Sequence, residues 1–284
     1  MNYEELLIAY DALKKENALL KSEIERLGGK SENPPLSLFE SEQPKTQERP
    51  SVFLSSRVHI KSHPEEKIEL FTSLFRGRCD VYARRWYNEK SKKAGYTPAC
   101  GNQWRHGLCD MKKNKCSDCP NRELLPLDRA AVEAHLRGDN IFCRDVIGVY
   151  PLLQDETCYF LAMDFDGESW REDTKTIRSL CNELNIPISI ERSRSGNGAH
   201  AWFFFEMAIA SSIARKFGAL LLTGAMNRRH DISFKSYDRL LPNQDIMPKG
   251  GFGNLIAMPL QGRARKNGNS VFVDDNFTAY ADQW

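Results

Sequence analysis

Residues 157–168 read TCYFLAMDFDGE. Thr157 to Phe165 is a short, mostly apolar run, the length of a strand buried on both faces. Two acids, Asp164 and Asp166, stand two positions apart at its end. Side chains at i and i+2 share one face of a strand, so the two carboxylates lie side by side and repel each other. A hard divalent cation, which takes oxygen ligands, relieves that repulsion. Two surface aspartates in a turn are the plainer alternative, because D-x-D is a short pattern.

Working outward, Glu172 to Leu184 has the spacing of an amphipathic helix. Ile186 to Glu191 and Gly198 to Phe205 have the composition of strands. Ala208 to Met226 is expected as a second helix and Leu255 to Pro259 as a fourth strand. The order β-α-β-β-α-β is that of a ferredoxin-like, or RRM-like, split unit in an α+β fold. That sheet serves many unrelated proteins, so function has to come from its side chains.

Three further stretches supply them. ERSRSGNGAHAWFFF, residues 191–205, carries a polar, glycine-rich turn (Ser193, Ser195, Gly196, Asn197 and Gly198) flanked by Arg192 and Arg194. Backbone N–H groups in such a turn can cradle a phosphate. His200 then opens a strand, placed to donate to a phosphate oxygen; a hydrogen-bonded core histidine in a hairpin is the alternative. SYDRLLPNQD, residues 236–245, offers a third acid, Asp238, with Asp245 as competitor. PKGGFGNLIAMPLQG, residues 248–262, puts Lys249 within reach of a phosphate, and Gln261 or Arg263 toward a template.

Cys100, Cys109, Cys116 and Cys119 are spaced C-x8-C-x6-C-x2-C. The closing KCSDCPN is a compact turn whose thiolates can share one tetrahedral ion, and the first pair can supply two more sulfurs. Lys112, Lys113 and Lys115 favour the thiolates. A structural Zn2+ is expected; a redox pair or an iron–sulfur cluster are alternatives, and His106 is a substitute ligand. From Phe75 to Arg122 there are 12 Lys/Arg against 4 Asp/Glu, with Tyr82, Trp86, Tyr87, Tyr96 and Trp104 interleaved. That mixture suits a polyphosphate backbone with stackable bases, or else is a solvated helix face. KIELFTSLFRGRCDVYARRWYN, residues 67–88, shows partial helical spacing. Leu127 to Leu136 is a further helix with Asp128 as its cap.

At the N-terminus Leu6, Leu13, Leu20 and Leu27 repeat every seven residues, with Tyr3, Tyr10, Asn17 and Ile24 at the alternate seam positions. This is the pattern of a parallel two-stranded coiled coil, its buried Asn fixing register. Gly28 and Gly29 end it, and a polar, Pro-containing tether follows. The expected organisation is a coiled-coil helix at 1–29, a linker at 30–63, a basic helical region with the cysteine module at 64–145, and a catalytic core at 146–284. The 284 residues are 41% hydrophobic with a net charge of +2, which excludes wholesale disorder. No apolar run reaches the roughly 18–20 residues that span a bilayer, and there is no signal-peptide pattern. A soluble, cytoplasmic protein with no membrane partner is expected.

Taken in order, D-x-D, a Ser/Gly turn with His, and a lone Asp resemble the motifs of the archaeo-eukaryotic primase superfamily. FRGRCDVYARRW, the cysteine cluster, GVYPLL, DFDG, RSRSGNGAHAWFFF, SYDRLLPNQD and KGGFGNLIAMPLQ resemble the primase domains of TOTE conflict systems and CRISPR-associated primase-polymerases. The likeness runs from about Phe71 to the C-terminus. It implies that Asp164, Asp166 and Asp238 hold two Mg2+ or Mn2+ ions. It also implies that His200 grips the incoming triphosphate and that Ser195 is the serine of that turn, although the two are five apart rather than in a tight S-x-H. The implied activity is DNA-directed nucleotidyl transfer from (d)NTPs on a single-stranded or primed template. A two-metal nuclease explains D-x-D but not the turn and His200. A non-catalytic single-strand binder leaves the three acids unexplained. The chain ends at TAYADQW, where members of those families continue, so helicase, nuclease or CRISPR-adaptation partners are expected outside it.

Overall fold

The computed structural model describes residues 58–111, 113–228 and 236–284. The expected coiled coil, and most of the expected linker, lie outside them.

The run that opened the sequence reading forms β4 (Thr157–Asp166), the second strand of a five-stranded sheet. Its neighbours are β6 (Gly198–Ala210) and β7 (Tyr237–Leu241), both antiparallel to it. β5 (Ser189–Arg192) lies beyond β6, and β9 (Val271–Phe272) closes the far edge. The order β7-β4-β6-β5-β9 is that of a split βαβ unit with one strand added. The helices α3 (Trp170–Glu183) and α4 (Ser211–Arg228) make its two crossovers.

β4 is apolar from Cys158 to Met163 because both its faces are covered there. Its odd positions, Leu161, Met163 and Phe165, join Ala201, Phe203 and Ile190 and pack on α3 and α4. Its even positions, Phe160 and Ala162, join Trp202 and Leu241 in a second core. That core is closed by Phe71 of α1 (Pro64–Leu74), by Phe75, and by residues of a small four-stranded sheet. The small sheet has the order β2-β1-β3-β8, built from β2 (Ala94–Pro98), β1 (Ala83–Tyr87), β3 (Ile147–Val149) and β8 (Ile256–Ala257). Burying a Phe or Leu side chain contributes roughly 1.5–3 kcal/mol, so these two layers hold the fold together.

Three expectations are corrected. The fourth strand of the split unit is Tyr237–Leu241, not Leu255–Pro259; Ile256 and Ala257 pair with Val149 and Gly148 in the other sheet. Strand patterning alone does not say which sheet a short apolar run will join. The segment 67–88 is not one helix: α1 stops at Leu74, and Ala83–Tyr87 is a strand paired with both β2 and β3. Gly77 packs so closely on Tyr150 that a Cβ there would lie 2.7 Å from its carbonyl oxygen. The strand Gly198–Phe205 continues to Ala210.

The helix expected at 127–136 is α2 (Arg129–Arg137), and Asp128 caps it by accepting from Ala131 N at 2.8 Å. The last helix, α5 (Gly262–Lys266), is capped by Gln261. Gln261 is fully buried, accepts from Ala264 N and donates to Asp145, while Arg263 donates to Asn140 O. The expectation that they face a template is therefore replaced by a structural role. Among the described residues no helix is long and apolar enough to cross a membrane.

Candidate active site

The even-numbered face of β4 runs out of cover at its C-terminal end, and there its side chains become acidic. Asp164 is half-buried and Asp166 exposed. Asp164 lies opposite His200 on β6, and His200 lies opposite Glu191 on β5. Cross-strand neighbours share a face, so Asp164, His200 and Glu191 form one row across the sheet.

Asp238 enters this face through an irregularity. Asp164 pairs with Arg239 and Phe165 with Tyr237, leaving Asp238 as an extra residue in a β-bulge. Bulges re-aim side chains that strict alternation would turn away. The carboxylate oxygens of Asp164, Asp166 and Asp238 consequently lie within 4.8 Å of one another. Arg239 Nε donates to Asp238 Oδ2 at 2.7 Å. Burial raises the Asp164 pKa, His200 lowers it, and the Asp166 and Asp238 charges raise it again. Three converging carboxylates, one of them desolvated, are the donor set a hard divalent cation needs. Asp245, the competitor for the third position, is held instead by Arg215 at 2.6 Å.

His200 is anchored on its far side. Its Nδ1 lies 2.7 Å from Glu191 Oε2, leaving Nε2 toward Asp164 Oδ1 at 3.5 Å. Burial disfavours the ring's charge, but the Glu191 carboxylate, with Asp164 and Asp166, lifts its pKa to about 9. The side chain is thus a cation at neutral pH with one N–H aimed along the carboxylate face. Glu191 is 1% exposed and also accepts from Trp202 Nε1 at 3.2 Å and, more weakly, Ser270 Oγ at 3.5 Å. The sequence reading took Glu191 only as the end of a strand. Its register opposite His200 is the signal that reveals it.

The turn before β6 is tight. Gly196 N donates to Ser193 O, Asn197 N to Ser195 Oγ, and the Ser193 and Ser195 hydroxyls lie 3.1 Å apart. Two of the N–H groups expected to face a phosphate are therefore bonded within the turn. Gly196 has φ +82°, and a Cβ on Gly198 would strike Asp166 Oδ1 at 2.5 Å. The turn's glycines let it pass directly beside the carboxylates.

Two expected binders lie elsewhere. Arg192 donates to the carbonyls of Gly268 and Phe277 at 2.9 and 2.5 Å, tying β5 to the C-terminal segment. Lys249 is exposed on a loop whose Gly250 and Gly251 carbonyls accept from Arg122 and Arg78. That loop lies against the cysteine module, where Arg122 also donates to Ser117 O.

Cys100, Cys109, Cys116 and Cys119 are all free thiols and line one small pocket. Burial and the neighbouring Cys109, Cys100 and Cys119 thiols raise the Cys116 pKa. A cation among the sulfurs would reverse that repulsion, so the set fits a thiolate-bound metal. His106 is exposed and does not line the pocket.

The family model described as the TOTE conflict system archaeo-eukaryotic primase domain matches residues 66–284. The chain belongs to that family. It is a family of primase domains, so nucleotidyl transfer is its class of chemistry. Among solved structures, the polymerase domain from Mycobacterium tuberculosis Ligase D in complex with DNA is 12% identical, with a TM-score of 0.42. The match covers 69% of this chain and 73% of that one. No curated protein matches the chain. The family match takes in all three acids, His200 and the four cysteines, and it leaves the N-terminal heptads outside.

Proposed function

We propose that this primase-family chain is a DNA-directed primase-polymerase, adding (d)NTPs to a primer 3′-OH or an initiating nucleotide on a single-stranded or primed template. The observation that carries this reading is the row Asp164–His200–Glu191, with Asp166 and Asp238 gathered beside it. Asp164, Asp166 and Asp238 would hold two Mg2+ or Mn2+ ions. Such ions neutralise charge on the attacking oxygen and the pyrophosphate leaving group. His200, charged and fixed by Glu191, donates from Nε2 to a phosphate oxygen. Ser195, Gly196, Asn197 and Gly198 shape the turn beside it, and the phosphate contact rests on His200 more than on their N–H groups. Positioning and charge supply most of the rate in phosphoryl transfer.

The four cysteines would hold a structural Zn2+, with no ligand position left for chemistry. Residues 1–29 would form a coiled-coil dimer, 30–63 a linker, and 64–145 and 146–284 the module and core. Helicase, nuclease or CRISPR-adaptation proteins would be the partners, in a cytoplasmic setting. A two-metal nuclease would use the carboxylates but gives the Glu191–His200 cation no task.

The test incubates the protein with unprimed or primed single-stranded DNA, Mg2+ or Mn2+, and nucleotides. New or extended strands are expected, and Asp164→Ala or Asp238→Ala should abolish them with the fold intact. Shortened template would identify a nuclease instead, and normal extension by either variant would sink the assignment.

A further inference from the structure

The hairpin of β1 and β2 and the first cysteine loop enclose a groove of about 630 Å3, separate from the carboxylates. Trp86, Tyr87 and Trp104 are its aromatic lining, and Arg84, Arg85 and Arg144 its cations. Trp104 is 67% exposed, an unusual state for an indole on a folded surface. Its backbone sits at φ +64°, a left-handed conformation that a bulky side chain rarely adopts. The loop that holds it there is fixed on both sides. Gln103 Nε2 donates to Thr97 Oγ1 at 2.8 Å, and Gln103 N and Arg105 N close turns on Cys100 and Asn102. The strain is thus set by the surrounding structure, which presents the ring outward. Strain of this kind points to function when the surroundings impose it.

The groove's cations are held in place. Arg144 donates to Tyr87 O and Glu89, and Arg85 to Phe142 O. Arg84 donates to the Tyr82 hydroxyl. An exposed indole beside Trp86, rimmed by the fixed Arg84 and Arg144 guanidinium groups, complements a flat base joined to a phosphate. The groove is also connected to the catalytic face. Tyr96, which pairs with Arg85 across the hairpin, lies beside Arg194 of the turn that leads to His200.

We propose that this groove holds an unpaired nucleotide of the single-stranded template, its base stacked on Trp104 and its phosphate facing Arg84 and Arg144. The proposal deepens the polymerase reading by assigning a template site, and it stands apart from the chemistry. The test measures binding of a fluorescein-labelled oligothymidylate to the full chain by anisotropy, with metal and nucleotide omitted. Trp104→Ala should weaken binding about tenfold or more, the scale of one lost base stack, while Trp104→Phe stays within about threefold. Asp164→Ala should bind as wild type does. Wild-type affinity in Trp104→Ala, or an equal loss in Trp104→Phe, would overturn the stacking role. Displacement of the oligonucleotide by free dNTP at micromolar concentration would overturn it too, by making the groove a mononucleotide site. If Asp164→Ala still extends primers while Trp104→Ala loses DNA, the groove stands and the catalytic assignment falls.

Discussion

Glu191 is a carboxylate shut away from water, and such a group persists only when it is paired and hydrogen-bonded. Its main partner is His200, whose charge it sustains. Burial alone would push the imidazole toward neutrality, but Glu191 reverses the sign and carries its pKa to about 9. A histidine whose folded pKa is raised contributes stability that is full below about pH 6.5 and is lost as pH rises through about 9. In Glu191→Gln the burial is opposed only by Asp164 and Asp166, so the ring should lose its proton at lower pH. Below about pH 9, where the wild-type ring is charged, the variant ring should carry less charge. NMR titration of the imidazole in metal-free protein reads this directly. The loss of a charge-assisted hydrogen bond, ~1.5–3 kcal/mol, should weaken apparent nucleotide affinity about tenfold or more, with partial recovery at lower pH. An unchanged titration would remove Glu191 from the site. Gly198 gives a second test at this scale. Gly198→Ala drives a methyl into the Asp166 carboxylate and the Phe165 carbonyl, so it should lower both thermal stability and metal affinity.

The elements around the site show how local sequence and packing divide the work. The apolar run of β4 was readable because both its faces are covered as far as Met163, before the acids begin. The Asp238 bulge was not, since a bulge is defined by the partner strand. The anchor is also non-local: Asp166 N donates to Ser236 O, and Ser236 Oγ donates to the buried Asp173 of α3 at 2.5 Å. His135 of α2 makes a comparable joint beneath the small sheet, lying 2.8 Å from Pro259 O and accepting from Ile147 N. Complete burial drives its pKa down to about 4. This depressed histidine contributes fully above about pH 6.5, where both states are neutral. Its contribution is lost as pH falls toward 4, because the unfolded chain takes up the proton first. Denaturant unfolding should show about 2 kcal/mol lost between about pH 7 and pH 5 on this account. His135→Gln should flatten that part of the slope, whatever its stability at neutral pH.

At the scale of the whole molecule, Arg122 ties the cysteine module to the 248–252 loop, and Arg78 holds the same loop from the chain before β1. Arg78 is itself buried and paired with Asp80 at 2.9 Å through Nε. If the four thiols hold zinc, elemental analysis should find one equivalent per chain. Cys116→Ser should lose it and lower the melting temperature by more than roughly 5 °C, since a bound structural metal contributes directly to folding. Full stability without metal would return the cluster to four unlinked thiols. Template binding should fall steeply with salt, as expected where Lys and Arg meet phosphates.

The sequence by itself determined the β-α-β-β-α run up to the last strand of the unit, the shared face of Asp164 and Asp166, and the place of His200. Those features follow from periods of two and 3.6 residues, which a chain displays before it folds. Only the tertiary structure decided that Tyr237–Leu241 completes the main sheet while Ile256 and Ala257 leave it. It also turned Asp238 toward the other two acids at a bulge, placed Glu191 behind His200, and gave Arg192 and Gln261 structural bonds. Each of these depends on which distant strand lies alongside. That choice is set by packing across two cores rather than by the pattern of any one segment.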